Sequence, residues 1–301
     1  MDRIDAMRIF TRVLERQSFT QAAEDLNLAR STVTDAVKRL EHRIGVMLLE
    51  RTTRQVTPTV DGEAFYQRCL SIIQEVEDAE TAFSAVKPKG TLRVDVHGTL
   101  ARHFLISKLP QFLSEYPDIE LYMSEGDRIS DVIREGIDCA IRVGNVKAED
   151  LVSKKITLLD EVTVASPEYL AKFGTPTNVE DLRKHRMIGF RATGSSMPLP
   201  LEFVIDGKVH NVSPKVSMVV NAAETLVAAA KAGLGIIQVP RYHIKQDLAS
   251  GALASILDST PPTPSPVSIL YPRNRKYSPR VKVFIEWLDV AFGISHPSTL
   301  G

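Results

Sequence analysis

The stretch from Ser18 to Ile44 constrains this chain more than any other. Upstream, Met7, Phe10, Val13 and Leu14 recur at helical spacing until Ser18-Phe19-Thr20 breaks the pattern and offers an N-cap. Glu24 lies four beyond Thr20, off the capping-box spacing. A second helix is expected through Gln21 to Leu26, where Ala22 and Ala23 let another helix approach closely, and Asn27-Leu28 makes a turn. A third opens at about Arg30. Its apolar stripe is Val33, Val37, Leu40 and Ile44, with Arg30, Thr32, Thr34, Asp35, Lys38 and Arg39 off that stripe. Two short helices joined by a tight turn, the second polar and basic outside its stripe, describe a helix-turn-helix. After Gly45, Val46 to Pro58 reads as a short β excursion carrying Arg51 and Arg54, a basic wing.

Overall charge decides nothing, because Lys plus Arg and Asp plus Glu number 37 each. Its distribution does. From Asn27 to Val60, Arg30, Lys38, Arg39, Arg43, Arg51 and Arg54 outnumber Asp35, Glu41 and Glu50, a net of +3. From Asp61 to Val86 only Arg68 opposes Asp61, Glu63, Glu75, Glu77, Asp78 and Glu80, a net of −5. Any polyanion contact is therefore confined to the N-terminal module. A helix fits the major groove, and the outward side chains at its N-terminal end reach base edges. That selects Arg30, Ser31, Thr32 and Thr34 for the bases, Arg30 being able to fork onto guanine O6 and N7. Lys38 and Arg39 also count as DNA-binding, Arg51 suits a phosphate with Arg54 beside it on the wing, and the backbone amides near Thr20 suit another. Asp35 repels phosphate. The competing reading is three short helices with a solvated basic face, which many folds contain.

The order and spacing favour the first reading. The run FTRVLERQSFTQAAEDLNLARSTVTDAVKRLEHRIGVMLLERTTRQVTPTVDGEAFY resembles the winged helix-turn-helix of LysR-type transcriptional regulators over the whole segment. It departs from the usual family pattern at Ala29, Arg30 and Ser31, where many members carry Ser or Thr, then Gln, then Pro, and at Asp35, often Arg. The resemblance implies the fold and a promoter-DNA partner, but not a base preference.

From about Thr59 to Val86 no Pro occurs, nor any Gly after Gly62. Phe65, Cys69, Ile72, Val76, Ala79 and Phe83 are spaced 4, 3, 4, 3 and 4, an apolar seam of coiled-coil period. The expectation is a dimer helix, and the alternative is a stripe packed on its own chain. The resemblance implies dimerisation, with two reading heads on an inverted repeat and a homodimer or homotetramer as the assembly.

Lys87-Pro88-Lys89-Gly90 is a hinge by composition. Beyond it strand and helix patterns alternate. Strands are expected at Leu92 to Val96, Ile119 to Met123, Cys139 to Val143, Val162 to Ala165, Met187 to Phe190, Ile236 to Val239 and Val267 to Tyr271. Helices are expected at Phe104 to Leu113, near Ile129 to Ile133, at Ala222 to Lys231 and at Val281 to Leu288. Such alternation predicts a largely parallel sheet with helices on both faces. GIDCAIRVG and AAAKAGLGIIQVP resemble the same family's effector domain, a periplasmic-binding-protein-like pair of α/β lobes. The expected architecture is α+β and α/β combined: a winged helix-turn-helix at 1–58, a dimerisation helix at 59–86, a hinge at 87–90 and an effector-binding domain at 91–301. Within that domain lobe one covers about 91–161 plus 268–293, and lobe two about 162–267.

Ligands of open α/β sheets lie beyond the carboxyl ends of strands. Gly98, Thr99 and Leu100 follow the first strand, Ser124 and Glu125 the second, Arg142 and Val143 the third, with Phe190, Arg191 and Asn221 across the cleft. Arg142 and Arg191 suit a carboxylate, whose two oxygens match a guanidinium. Equally, they suit ion pairs at the lobe surfaces.

Other classes fit poorly. His42, His97, His103, His185, His210, His243 and His296 are dispersed without metal-ligand spacing, so neither metal nor cofactor is expected. Gly233-Leu234-Gly235 leads from helix into strand, the reverse of a dinucleotide fingerprint, and Gln238 stands at the third glycine. Ser195 and Ser196 sit outside a GxSxG elbow. Cys69 and Cys139 form no CxxC pair, and neither a secretory leader nor a run of about 20 apolar residues is present, which points to the cytoplasm. The expectation is a DNA-binding regulator modulated by a small molecule and not an enzyme. The rival is a solute-binding or catalytic α/β protein whose N-terminal helices only dimerise.

Overall fold

The computed structural model describes residues 1–51, 56–81, 87–126, 136–144, 150–192, 195–273, 275 and 278–294. The chain forms two compact units, essentially Met1–Pro88 and the chain from Lys89 onward. Arg54, Phe83 and the helix expected near Ile129, Val132 and Ile133 lie outside the described residues, as does the side chain of Arg51.

In the first unit, α1 (Arg3–Arg16) starts at a reciprocal cap: Asp5 N donates to Asp2 Oδ1 at 2.7 Å and Asp2 N to Asp5 Oδ2 at 3.0 Å. Gln17, at φ 50°, ends it. α2 (Phe19–Asp25) is capped by Ser18, whose Oγ accepts from Gln21 N at 3.3 Å, so Thr20 sits within the first turn instead. Asn27 turns the chain in the left-handed region, φ 52°, where Asn is tolerated better than most residues. α3 (Arg30–Ile44) follows. Ala22 and Ala23 are buried against a core of Phe10, Val13, Val33, Val37 and Leu40, each under a tenth exposed. Removing any of these large side chains from water contributes about 1.5–3 kcal/mol.

The wing strands β1 (Leu49–Arg51) and β2 (Val56–Pro58) pair antiparallel. Thr59 then caps α4 (Val60–Thr81), accepting from Gly62 N at 2.9 Å while donating to Met47 O at 2.8 Å. A Cβ at Gly62 would run into the Leu48 carbonyl, so the close approach of helix and wing requires glycine there. Phe65 and Cys69 do not lie on a free seam. Cys69 is fully buried in this unit's core, and the Phe65 ring stands 5.5 Å from Phe10. The first turns of α4 close the floor under α1, which captures those two positions. Ile72 and Ala79 are exposed and Val76 is half-buried.

The second unit holds a five-stranded sheet: β3 (Gly90–Val96), β4 (Ile119–Ser124), β5 (Cys139–Val143), β6 (Leu151–Leu159) and β14 (Ser265–Pro272), ordered β4-β3-β5-β14-β6. β3 runs parallel to β4 and β5, whereas β14 is antiparallel to β5 and β6. The expected largely parallel sheet is thus mixed, because β14 re-enters from the second lobe instead of through a βαβ crossover. Its core gathers Leu92, Val94, Ile141 and Ile269 with Phe112 of α6 (Leu109–Glu115), preceded by a single turn α5 (Gly98–Leu100) that runs on as a π turn, Ala101–Leu105.

Among the described residues the other lobe shows three small sheets. β7 (Glu161–Ala165) lies between β12 (Ile237–Pro240) and β13 (Ala254–Ser255), both antiparallel to it. β8 (Arg186–Phe190) and β11 (Lys215–Val220) are parallel, and β9 (Leu201–Ile205) with β10 (Lys208–Val212) forms a hairpin. The helices are α7 (Pro167–Phe173), α8 (Ala223–Lys231) and α9 (Lys245–Ser250), while α10 (Pro279–Ala291) returns to the first lobe, where Phe284 and Trp287 join its core. Gly233 takes φ 75°, and a Cβ at Gly235 would lie 2.8 Å from Arg186 O, so the Gly-Leu-Gly run is a turn squeezed against β8. Gln238 staples the hairpin to β7: its Oε1 accepts from Glu202 N at 2.7 Å, and its Nε2 donates to Glu202 O at 2.8 Å and Thr163 Oγ1 at 3.0 Å. Among the described residues no helix is long and apolar enough to cross a membrane.

Candidate functional site

α3 separates its faces except at its last turn, where Ile44, expected on the buried stripe, is 38% exposed. Val33, Val37 and Leu40 are at most 2% exposed, while Arg30, Ser31, Asp35, Lys38 and Arg39 stand in solvent and Thr32 and Thr34 are half-buried. Thr34 Oγ1 donates back to Arg30 O at 2.9 Å, and Arg39 Nε to Asp35 O at 3.3 Å, so both lie along the helix surface. Ala29, at the N-cap, offers no side-chain acceptor, which leaves the first amides of α3 to an outside partner. Thr20 is exposed in the first turn of α2. Arg16 ties α1 to α2 through Asp25 at 2.6 Å, and that hydrogen bond holds the Asp25 carboxyl below its ordinary range. The wing is fixed from behind: Glu41, 5% exposed, accepts from Leu48 N at 3.0 Å and Leu49 N at 3.1 Å.

In the second unit, the ends of β3, β4 and β5 meet through their side chains, whereas no hydrogen bond or ion pair joins Phe190, Arg191 or Asn221 to them among the described residues. Thr99 Oγ1 meets His97 Nδ1 at 2.9 Å and the Tyr242 hydroxyl at 2.8 Å. Leu100 is fully buried in the lobe core and Val143 packs beside it, so the first lines the core and not a ligand. Arg142 is only 5% exposed and pairs with Asp95; its Nη1 also donates to Asp95 O at 3.2 Å and Ile141 O at 3.1 Å. Ser124 Oγ takes the other Asp95 oxygen at 2.6 Å. The carboxylate expected for Arg142 from outside is therefore supplied from within, in a buried pair and not one at the lobe surface. Arg191 is exposed, its backbone N–H donating to Val220 O at 2.8 Å, with exposed Asn221 close to α8 and Phe190 packed partly on the lobe core.

Several residues escaped the sequence reading. Arg102 Nη1 contacts Glu125 Oε1 at 2.9 Å and Oε2 at 3.2 Å, and its Nη2 pairs with Glu224 of α8. Arg102 lies four beyond Gly98, one helical turn, the only local signal for it. Tyr242 carried none, since it reaches Thr99 from 143 residues away. Its ring packs 5.0 Å from Phe104 and 4.8 Å from His103, and burial pushes the phenol up to about 12, keeping it neutral. Burial lowers His243, opposed by Glu224, and lowers His103, helped by Lys245. Glu161, where the chain crosses between lobes, is raised to about 7 by burial and further by Glu202, against a stabilising hydrogen bond from Ser265. The described residues contain no group of three His, Cys, Asp or Glu set to hold a metal ion. What converges here is hydrogen bonding and exchangeable charge, the chemistry of recognition.

Residues 4–63 match the lysR family of bacterial regulatory helix-turn-helix proteins, and residues 85–292 match the LysR substrate binding domain. The chain is 34% identical over 290 residues to the HTH-type transcriptional regulator YhjC of Escherichia coli K12, covering 96% of this chain and 97% of that one. It is 32% identical over 294 residues to the HTH-type transcriptional repressor PA14_22550 of Pseudomonas aeruginosa, covering 97% and 93%. The solved structure of CrgA, a LysR-type transcriptional regulator from Neisseria meningitidis, aligns with a TM-score of 0.59 at 32% identity, over 96% of this chain and 98% of that one.

Proposed function

The chain belongs to the LysR family of bacterial transcriptional regulators, and from that premise we propose which surfaces read DNA and which hold the effector. Regulators of this family bind DNA and small-molecule effectors, form oligomers, and are not enzymes. In our reading 1–58 binds DNA, 59–86 dimerises, 87–90 is a hinge and 91–301 holds the effector, and the protein works in the cytoplasm beside its promoter.

Arg30, Ser31, Thr32 and Thr34 face the bases; Lys38, Arg39, Arg51, Arg54 and the amides at Thr20 face phosphates. One observation carries this: Arg30, Ser31, Lys38 and Arg39 of α3 are exposed while Val33, Val37 and Leu40 of its apolar stripe are buried on the same unit. Ile72, Val76 and Ala79 are the seam positions left for a second copy. The test is binding of the purified protein to the duplex adjoining its own gene, over a salt series. Log affinity should fall linearly with log salt, by about 0.9 per phosphate contact. A monomer with no preference over competitor duplex sinks the reading.

The effector is a small carboxylate between the lobes, met by Gly98, Thr99, Ser124 and Glu125 on one side and Phe190, Arg191 and Asn221 on the other. Arg191 supports this because its guanidinium is exposed, in contrast to that of Arg142. Binding changes how the lobes sit, and so the spacing of paired reading heads, by as much as the ligand prefers one arrangement. Footprinting with and without candidate carboxylates checks this, an unchanged footprint counting against it.

A further inference from the structure

We propose that Arg102 is an anion receptor kept occupied by two of the chain's own carboxylates, Glu125 and Glu224, and that an acidic effector binds by displacing Glu224. This rests on the carboxylate reading of the cleft and adds to it the receptor and its internal competitor.

Arg102 stands on the turn after β3 in one lobe, beside Glu125 at the end of β4, and Glu224 comes from the first turn of α8 in the other. One guanidinium thus bridges the lobes at the strand ends. The pair lies directly on Gly98: a Cβ there would run into Glu125 Oε2 and stand 2.9 Å from Arg102 Nη2. Glycine leaves the space that Glu125 and the Arg102 guanidinium occupy beside the backbone.

Burial decides which arginine can exchange partners. Arg142 and Asp95 are 6% and 12% exposed, and removing one would strand the other's charge out of water. Arg102, Glu125 and Glu224 are 54%, 54% and 51% exposed, so each is solvated once released and the pairs are weakly held. Two carboxylates share one cation, leaving one negative charge in excess. Replacing Glu224 by a ligand carboxylate keeps the guanidinium satisfied while cutting the tie between lobes. His243, on the turn after β12, adds its electrostatic pull on Glu224, and its ring lies 6.2 Å from that of Tyr242. Effector entry and release of the lobes are then one event.

The test uses the intact protein, with benzoate and succinate as anionic probes, benzamide as a neutral one and benzylamine as a cation, followed by calorimetry. Glu224→Gln should tighten an anionic probe at least fivefold, because the internal competitor is gone. Arg102→Ala should weaken it at least tenfold, with Arg102→Lys between, and benzamide should respond to neither change. A residue that merely braced the fold would not improve binding on removal of its charge. Unfolding midpoints of each variant identify any that fail to fold, and Glu224→Gln, at an exposed position, carries the decision alone. Anion binding indifferent to Glu224 and Arg102 overturns the receptor but leaves the carboxylate reading standing. Binding of benzylamine that Glu224→Gln abolishes, or no binding of either anion to wild type and variant, overturns both.

Discussion

Asp95 and Arg142 form an ion pair within the first lobe, with the second Asp95 oxygen taken by Ser124. Their side chains are 12% and 6% exposed. A buried pair contributes little beyond what apolar residues of equal size would, but breaking one is severe. Asp95→Ala should destabilise the second unit by about 3–5 kcal/mol, read as a lower urea midpoint. Replacing both, Asp95→Leu with Arg142→Met, should recover most of that loss. Equal losses in the single and double variants would remove the argument.

The sequence exposed most where one element could be read from its own residues. The α3 stripe from Val33 to Leu40, the Asn27 turn and the strands around Ile141 and Val164 follow from local periodicity and stand where expected, whereas Ile44, at the end of that stripe, is exposed. Long-range pairing was not legible. β6 has charged and polar residues at its centre, Ser153-Lys154-Lys155, because β14 covers only one edge and its face is exposed. β10 is exposed through most of its length, so Lys208 to Val212 shows little apolar alternation and only its pairing with β9 makes it a strand. The site divides likewise. Gly98 and Thr99 announce a strand end, but nothing local says that Thr99 meets Tyr242, that Asp95 claims Arg142, or that the core claims Phe65 and Cys69.

Glu41 is the pin of the wing. Its carboxylate accepts from two successive backbone amides, Leu48 N and Leu49 N, both buried. Glu41→Ala leaves both donors without that acceptor, at about 1–3 kcal/mol each. Glu41→Gln keeps an oxygen and should lose roughly half as much. Because the wing hangs on these bonds, affinity for DNA should fall in step with stability, and faster amide exchange at Leu48 and Leu49 should mark the cause. Native exchange rates in Glu41→Ala would count against it.

Glu161 makes stability depend on pH. Its folded pKa of about 7 lies above the ordinary 4.5, chiefly through burial. The folded state therefore holds this proton more tightly than the unfolded chain does. Stability from this group is fully present below about 4.5 and is lost as pH rises through 7. Glu161→Gln removes the penalty: the variant should be more stable than wild type at pH 8 by on the order of 2–3 kcal/mol and no more stable at pH 4. Unfolding midpoints of both proteins across that range decide it, and a variant less stable at pH 8 contradicts the cause.

Arg30 and Lys38 lie on the exposed side of α3 two turns apart, and they should fail differently on DNA. Arg30 is at the first helical position, where a guanidinium reaches base edges and can fork onto guanine O6 and N7. Arg30→Ala should therefore compress the spread of affinities among operator variants, by about 1–3 kcal/mol at one base position. In the proposed reading Lys38, farther along the helix, faces phosphate, which is the same for every sequence. Lys38→Ala should weaken all duplexes alike and reduce the slope of log affinity against log salt by about 0.9. Competition binding with single-base operator variants at several salt concentrations measures both effects on one protein preparation. If Arg30→Ala weakens every duplex equally while leaving the ranking intact, Arg30 is a phosphate contact and base selection belongs to Ser31, Thr32 or the wing.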